Sequence, residues 1–136
     1  MAKENNTASN YKAEIIESSR ELSAKERVMF KDLGNALSMI DYAKQCEEEG
    51  AKAIIDYADY VVVHVHNDKA EDKDYTNYIL VDKTGGKFYT GSESFWNAFK
   101  NIYDEMKDEQ EAWGIQLNLL PSKNYKGKEI LTCSLI

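Results

Sequence analysis

The chain has 136 residues, of which 43% are hydrophobic and 30% charged, and its formal net charge is −7. This length predicts one domain with a core of its own, and the apolar content excludes a wholly disordered chain. No stretch reaches the roughly 18 continuous apolar residues of a membrane span, and residues 1–14 lack the apolar segment of a secretory signal. We therefore expect a cytoplasmic protein that does not engage a membrane.

The first third of the chain carries the weakest pattern. Residues 1–10 are small and polar, and residues 11–27 are weakly helical and highly charged. The stretch "RVMFKDL" fits either a short strand or an extended arm. We predict that residues 1–30 form a mobile or partner-packing N-terminal arm, and that residues 31–136 form a single OB-like domain.

The apolar residues of this arm need a surface to pack on. Tyr11, Ile15, Ile16 and Leu22 are too many for a purely solvating tail and too few for a core. Such a segment packs either on its own domain or on a neighbouring copy of the chain. The second alternative implies self-association through the arm.

A helix is predicted for "ALSMIDYAKQCEEEG". Ser38 is placed to cap its first turn, and Gly50 supplies the residue that ends it. The apolar residues that recur at helical spacing are Ile40, Ala43 and Cys46.

Three strands are predicted next. "AKAIIDYADYVVVHVHN" contains a long β-branched run, "YTNYILVD" alternates, and "KFYT" is short. The acidic stretch "DKAEDKD" joins the first two strands, and the glycine turn "KTGG" joins the second to the third.

The period then changes to that of a helix, followed by two more strands. Thr90 can be the N-cap with Glu93 three residues on, and the apolar stripe consists of Phe95, Phe99, Ile102 and Met106. "WGIQLNLLP" and "KEILTCSLI" alternate as half-buried strands, and "SKNYKGK" joins them.

The predicted order is strand, strand, strand, helix, strand, strand. This is the layout of a mainly β protein built on a five-stranded OB-type barrel, with a helix between the third and fourth strands. A small α+β sheet with one packed helix is the alternative. In the OB interpretation, ligands bind the outer face of the second and third strands and the first and last hairpin loops.

The sequence contains no pattern that predicts catalysis. It has no G-x-S-x-G, no P-loop and no G-x-G-x-x-G, and "TGGK" lies between strands. His64 and His66 have a spacing that can ligate a metal, but no third ligand accompanies them. Cys46 and Cys133 fit no metal or disulfide framework, and we expect both to be reduced. We therefore expect no enzyme, no metal, no cofactor and no small-molecule substrate.

Binding of single-stranded nucleic acid is better supported by the composition of the last loop and the strands before it. Aromatic rings stack on bases while cations track the phosphates. With Ile79, Val81 and Phe88 directed inward, their neighbours face outward, although such tyrosines often only pair across strands and lysine-rich hairpins are often only solvated turns. The candidate nucleic-acid-binding residues are Tyr78, Lys87, Tyr89, Lys123, Asn124, Tyr125, Lys126 and Lys128.

The distribution of charge leaves room for such a site. Residues 1–82 contain 10 basic and 17 acidic residues, whereas residues 83–136 contain 7 of each. Local fields decide contacts within a screening length of about 8–10 Å. An acidic chain can therefore hold a local basic site.

A resemblance to a known family adds to this interpretation. "YTGSESFWNAFKNIYDEM" followed by "PSKNYKGKEILTCSL" resembles the PrgE-like family, small single-stranded DNA-binding proteins of phages and conjugative plasmids of Gram-positive bacteria. The similarity covers residues 61–135. It implies an OB-type fold, binding of single-stranded DNA, no cofactor, and a role in replication or conjugation of a mobile genetic element.

Two other functions remain open from the sequence. "CEEEG" and "NDKAEDKD" could mimic DNA in a phage-encoded inhibitor that binds protein. The chain could also be an accessory factor in replication or transfer that binds only protein.

Overall fold

Strands account for most of the regular structure, 44% of the residues that the structure describes against 26% in helices. The computed structural model describes residues 11–69, 71–122 and 127–136. Within them the elements are β1 (Tyr11–Ser18), α1 (Ala24–Lys31), β2 (Leu37–Ser38), α2 (Met39–Glu48), β3 (Ala53–Asn67), β4 (Asp74–Asp82), β5 (Lys87–Thr90), α3 (Glu93–Met106), β6 (Gly114–Pro121) and β7 (Glu129–Leu135). No helix among the described residues is long and apolar enough to cross a membrane.

The long strand β3 organises one curled, mixed sheet. Its β-branched run pairs with antiparallel β4 on one side. On the other side, β6 pairs with the first residues of β3 and β1 with the last ones. The sheet order is β2-β5-β4-β3-β6-β7, with β1 added beside β3. Each additional strand is therefore placed by its register against β3 or against a strand that β3 positions.

The predicted order of elements is confirmed from β3 to β7, with α3 between the third and fourth of these strands. The predicted number of five strands is wrong, because β1 and β2 extend the sheet to seven. Within the described residues β5 and β7 do not pair, so the sheet does not close into a barrel between them. Instead, β2 lies parallel to β5, with Leu37 opposite Phe88. The sheet is a curled half-barrel.

Two predictions for residues 11–33 are wrong: the helical pattern over residues 11–18 and the strand or extended arm at "RVMFKDL". Residues 11–18 form a strand because pairing with β3 outweighs their weak helical pattern. "RVMFKDL" begins inside α1, whose N-terminus has a capping box: Glu26 N donates to Ser23 Oγ, and Ser23 N donates to the Glu26 carboxylate. Ile15 and Leu22 pack against their own chain, whereas Tyr11 and Ile16 are exposed, and self-association stays a prediction. Residues 1–10 lie outside the described residues.

The two later helices form where the sequence predicts them, but one buried position and one cap differ. Ser38 caps α2 as predicted, and Gly50 follows it with a φ of 70°, a conformation that favours glycine. The buried face of α2 includes Met39, whereas Ile40 is exposed. The predicted cap of α3 is wrong: Ser92 accepts from the backbone of Phe95 and is the N-cap, because the helix begins at Glu93.

Both faces of the sheet are covered over β3 and β4. The main core lies between the sheet and helices α2 and α3, around the fully buried rings of Phe95 and Phe99. A second, smaller core on the opposite face contains Leu22, Val61, Val63, Val65 and Ile79. Burial of both faces explains the valine run of β3, because a strand covered on both sides does not need a polar residue at every second position.

Candidate nucleic-acid interface

Tyr78 does not face solvent, so its predicted orientation is wrong. It is only 8% exposed and stacks on Trp96, with ring centroids 4.8 Å apart. The prediction placed a core only on the face of β4 that holds Ile79, whereas both faces are covered. Helix α3 packs on the Tyr78 face, and Ile79 belongs to the second core on the other face.

Lys87 and Tyr89 flank Phe88, which is buried as predicted, but the surface they share is covered by residues 22–33. Lys87 Nζ donates to the backbone carbonyls of Met29, at 2.7 Å, and of Asp32, at the C-terminal end of α1. Tyr89 is half-buried against the second core. A lysine held by helix C-terminal carbonyls is less available to a phosphate.

The last hairpin carries the remaining candidates. β6 and β7 pair without interruption from Ile115–Leu135 to Pro121–Glu129, and Ser122 N donates to Lys128 O at 2.9 Å. Lys128 is exposed and follows Gly127, whose φ of 84° is typical of a turn. Lys123, Asn124, Tyr125 and Lys126 lie outside the described residues, so their predicted role stays a prediction.

One face of this hairpin is polar and ordered by its own hydrogen bonds. Gln116 Nε2 donates to Asn118 Oδ1 at 3.2 Å, and Asn118 Nδ2 donates to Ser134 Oγ at 3.2 Å. Thr132 lies opposite Asn118 on the same face. The sequence alternation already placed Gln116 and Asn118 opposite the core, but it gave no reason to treat them as binding residues.

A cleft of about 320 Å³ opens beside this polar face, between the end of α2 and β6. Its lining combines alanines and leucines with two amides, a hydroxyl, one lysine and one glutamate: Ala43, Glu47, Ala51, Lys52, Ala53, Gln116, Leu117, Asn118, Leu119, Leu120 and Thr132. Lys52 is exposed and has no hydrogen bond or ion pair within the described part of the chain. The cleft therefore offers polar groups, one positive charge from Lys52 and one negative charge from Glu47 next to the last hairpin.

The edge of β6 is open along this cleft. The last pair between β3 and β6 is Ala53–Leu117, whereas β6 continues to Pro121. Over residues 11–69, 71–122 and 127–136, the side of residues 118–121 that faces away from β7 has no strand partner. Backbone groups in this position can bind a ligand.

A second cation is enclosed by aromatic rings on α3 and β3. Lys100 Nζ lies 5.4, 5.7 and 5.3 Å from the ring centroids of Tyr60, Trp96 and Tyr103. It also contacts Glu17 Oε2 at 3.0 Å, and Tyr60 donates to the same oxygen at 2.6 Å. This network fastens β1 to α3, and its charge is already neutralised.

The two cysteines are buried, and burial raises the pKa of the Cys133 thiol to about 12. A thiol with such a pKa is a poor nucleophile at neutral pH. Cys133 lies among the leucines of the main core and serves there as a small packing residue.

His64 and His66 meet carboxylates at the end of the β3–β4 hairpin. His64 Nε2 and His66 Nδ1 lie 3.1 and 2.9 Å from the same oxygen, Asp74 Oδ1, and His66 Nε2 lies 2.8 Å from Asp68 Oδ1. Among the described residues no group of three or more His, Cys, Asp or Glu side chains is arranged to hold a metal ion. The contacts are ion pairs whose strength depends on protonation.

These contacts predict a pH dependence of stability. Hydrogen bonds to Asp74 and Asp68 raise the pKa of His66 above its usual 6.5, and those to His66 and His64 lower the pKa of Asp74 below 3.8. The stabilisation by His66 is complete below about pH 6.5 and is lost as pH rises through its raised pKa. The stabilisation by Asp74 is complete above about pH 4 and is lost as pH falls through its lowered pKa.

An NMR titration of the histidine rings checks this. We expect a midpoint above 6.5 for His66, and a lower midpoint in Asp74→Asn, in which the contact to Asp68 remains. Lys12 and Glu14 face these histidines from β1 but contact each other at 3.1 Å, so Lys12→Met serves as the control. An unchanged His66 midpoint in Asp74→Asn would show that the ion pair does not persist in solution.

Comparison of the chain with protein-family models, with curated proteins and with solved structures gives no match.

Proposed function

We propose that this protein is a non-enzymatic single-stranded DNA-binding protein that coats DNA during replication or conjugative transfer of a phage or plasmid. The order of β3 to β7 with α3 before β6 is that of an OB-type barrel, which is the finer fold that we propose for residues 53–135. The β6–β7 hairpin and the cleft beside it are the proposed DNA contact.

One observation carries this proposal. The hairpin that contains "SKNYKGK" borders a cleft lined by Lys52, which has no partner among the described residues, by Glu47, and by a row of amide and hydroxyl groups. Lys128 and Lys44 lie at the same end of the molecule, Lys44 at 4.0 Å from Glu129. Cations for phosphates, a tyrosine for stacking and polar groups for base edges are the elements that single-stranded nucleic acid requires.

The proposed contact differs from the one expected on the second and third strands of the barrel. Tyr78 is buried, and Lys87 is bound to carbonyls of α1 and its C-terminal end. Neither can reach DNA without a rearrangement of α1 or α3. We therefore leave Tyr78, Lys87 and Tyr89 out of the proposed interface.

Binding of a fluorescently labelled oligo(dT), followed by anisotropy over a salt series, tests the function. We expect Tyr125→Ala to weaken binding by about 1–3 kcal/mol, because a stacked ring is lost. Tyr125→Phe should keep most of the affinity, since stacking needs the ring and not the hydroxyl. Tyr75→Ala, which removes an exposed tyrosine at the other end of the sheet, is the matched control.

Two results would argue against this contact. Equal losses for Tyr125→Ala and Tyr125→Phe would indicate a role of the hydroxyl. A protein that binds no oligo(dT) at low salt would exclude the proposed function and favour a partner that is itself a protein.

A further inference from the structure

The cleft beside β6 has the dimensions of a site for one nucleotide unit. Its volume of about 320 Å³ falls at the lower end of the range of roughly 300–1,000 Å³ that is usual for small-ligand sites. Its apolar lining comes from alanines and leucines, among them Ala51, Ala53 and Leu117. Such a lining accepts the flat face of a base, which is apolar, better than it accepts a phosphate.

The polar wall of the cleft is suited to a base edge. The hydrogen bonds from Gln116 to Asn118 and from Asn118 to Ser134 fix the orientation of both amides before a ligand arrives. Each amide keeps hydrogen-bonding capacity beyond these contacts, since a carboxamide has two N–H donors and two acceptor lone pairs. Amide side chains are among the groups that read base edges, where they form paired hydrogen bonds.

Two further features complete the site. The edge of β6 at residues 118–121, which has no strand partner in the described part of the chain, adds backbone donors and acceptors along the same cleft. Lys52 and Glu47 are exposed residues of the lining, so a phosphate can bind at Lys52 while Glu47 disfavours one on its own side of the cleft.

We propose that this cleft takes up one unstacked base of the bound strand and reads its edge through Gln116, Asn118 and Thr132, so that the protein binds some base sequences more tightly than others. This inference rests on the proposed function. It departs from simple coating, in which stacking and phosphate contacts tolerate every sequence.

Anisotropy titrations with 20-nucleotide oligo(dA), oligo(dC) and oligo(dT) at one salt concentration test the inference. For the unmodified protein we expect the dissociation constants of the tightest and the weakest of the three oligonucleotides to span about tenfold. This value lies in the lower part of the range for an amide–base contact. In the double variant Gln116→Leu/Asn118→Leu this span should fall to about twofold, because stacking and phosphate contacts remain. Asn97→Leu/Asn101→Leu, which removes two exposed amides from α3, is the matched control and should keep the span.

The outcomes separate the two proposals. A span of less than twofold in the unmodified protein, or a span retained in the Gln116/Asn118 variant, overturns base reading and leaves single-stranded DNA binding in place. Absence of binding to all three oligonucleotides overturns both. If the double variant does not fold, Thr132→Val, a change of similar volume in the same wall, should narrow the span several-fold, and an unchanged span there overturns base reading.

Discussion

Replacement of Lys123, Lys126 and Lys128 together by alanine should weaken binding of single-stranded DNA about 100-fold at 0.1 M salt. Each phosphate contact contributes roughly 0.7 to the slope of log K against log salt concentration for single strands, so three contacts contribute about 2. The loss should be the same for every base sequence, because phosphate contacts carry no sequence information. Anisotropy titrations from 50 to 300 mM salt give both the slope and the affinity.

A variant with the same change in net charge provides the control. Lys25, Lys83 and Lys107 are exposed lysines elsewhere on the chain, and their joint replacement by alanine also removes three positive charges. A local contact predicts little change in slope for this variant. If both triple variants lose affinity equally, the effect reflects net charge alone, and the hairpin has no specific role.

Phe99→Ala should lower the free energy of unfolding by about 3–5 kcal/mol, the usual cost of removing a buried phenylalanine ring. Phe99 has no exposed surface. The centroid of its ring lies within 6.2 Å of the centroids of six other rings, those of Tyr57, Tyr60, Phe95, Trp96, Tyr103 and Trp113. Because so many large rings surround it, the cavity cannot close by a small shift of one neighbour. Domains of this size have only about 5–15 kcal/mol of stability in total, so the loss is severe.

Urea unfolding followed by tryptophan fluorescence measures this effect. Asn97→Ala, an exposed position on the same helix, should change stability by less than about 0.5 kcal/mol. A loss of less than 1 kcal/mol in Phe99→Ala would show that α3 does not pack on the sheet through this ring.

The sequence predicts the later part of the fold better than the first part. From β3 to β7, long β-branched or alternating segments are separated by glycine turns and by one helix with a clear apolar stripe, and each element was predicted in the correct order. β1 has no comparable local signal. Its strand conformation depends on pairing with residues 61–67, which lie about 50 positions away in the chain.

The candidate site could be predicted only in part for a related reason. Alternation shows which residues of a strand share a face, but it does not show whether a second layer covers that face. α3 covers Tyr78, and residues 22–33 cover Lys87 and Tyr89, through contacts that depend on the tertiary fold. The cleft beside β6 arises because β3 starts opposite Leu117 while β6 runs on to Pro121, and no local pattern encodes that offset.

In the proposed function, single-stranded DNA binds the β6–β7 hairpin and the adjoining cleft. The most direct test is an NMR titration of the ¹⁵N-labelled protein with oligo(dT), in which each backbone amide reports its own environment. We predict the largest shift changes at Lys52, at residues 116–120 and at residues 122–134, with little change at Lys87 and Tyr89. Changes confined to β4 and β5, or to the acidic segment between β3 and β4, would contradict this contact, as would a spectrum that DNA leaves unchanged.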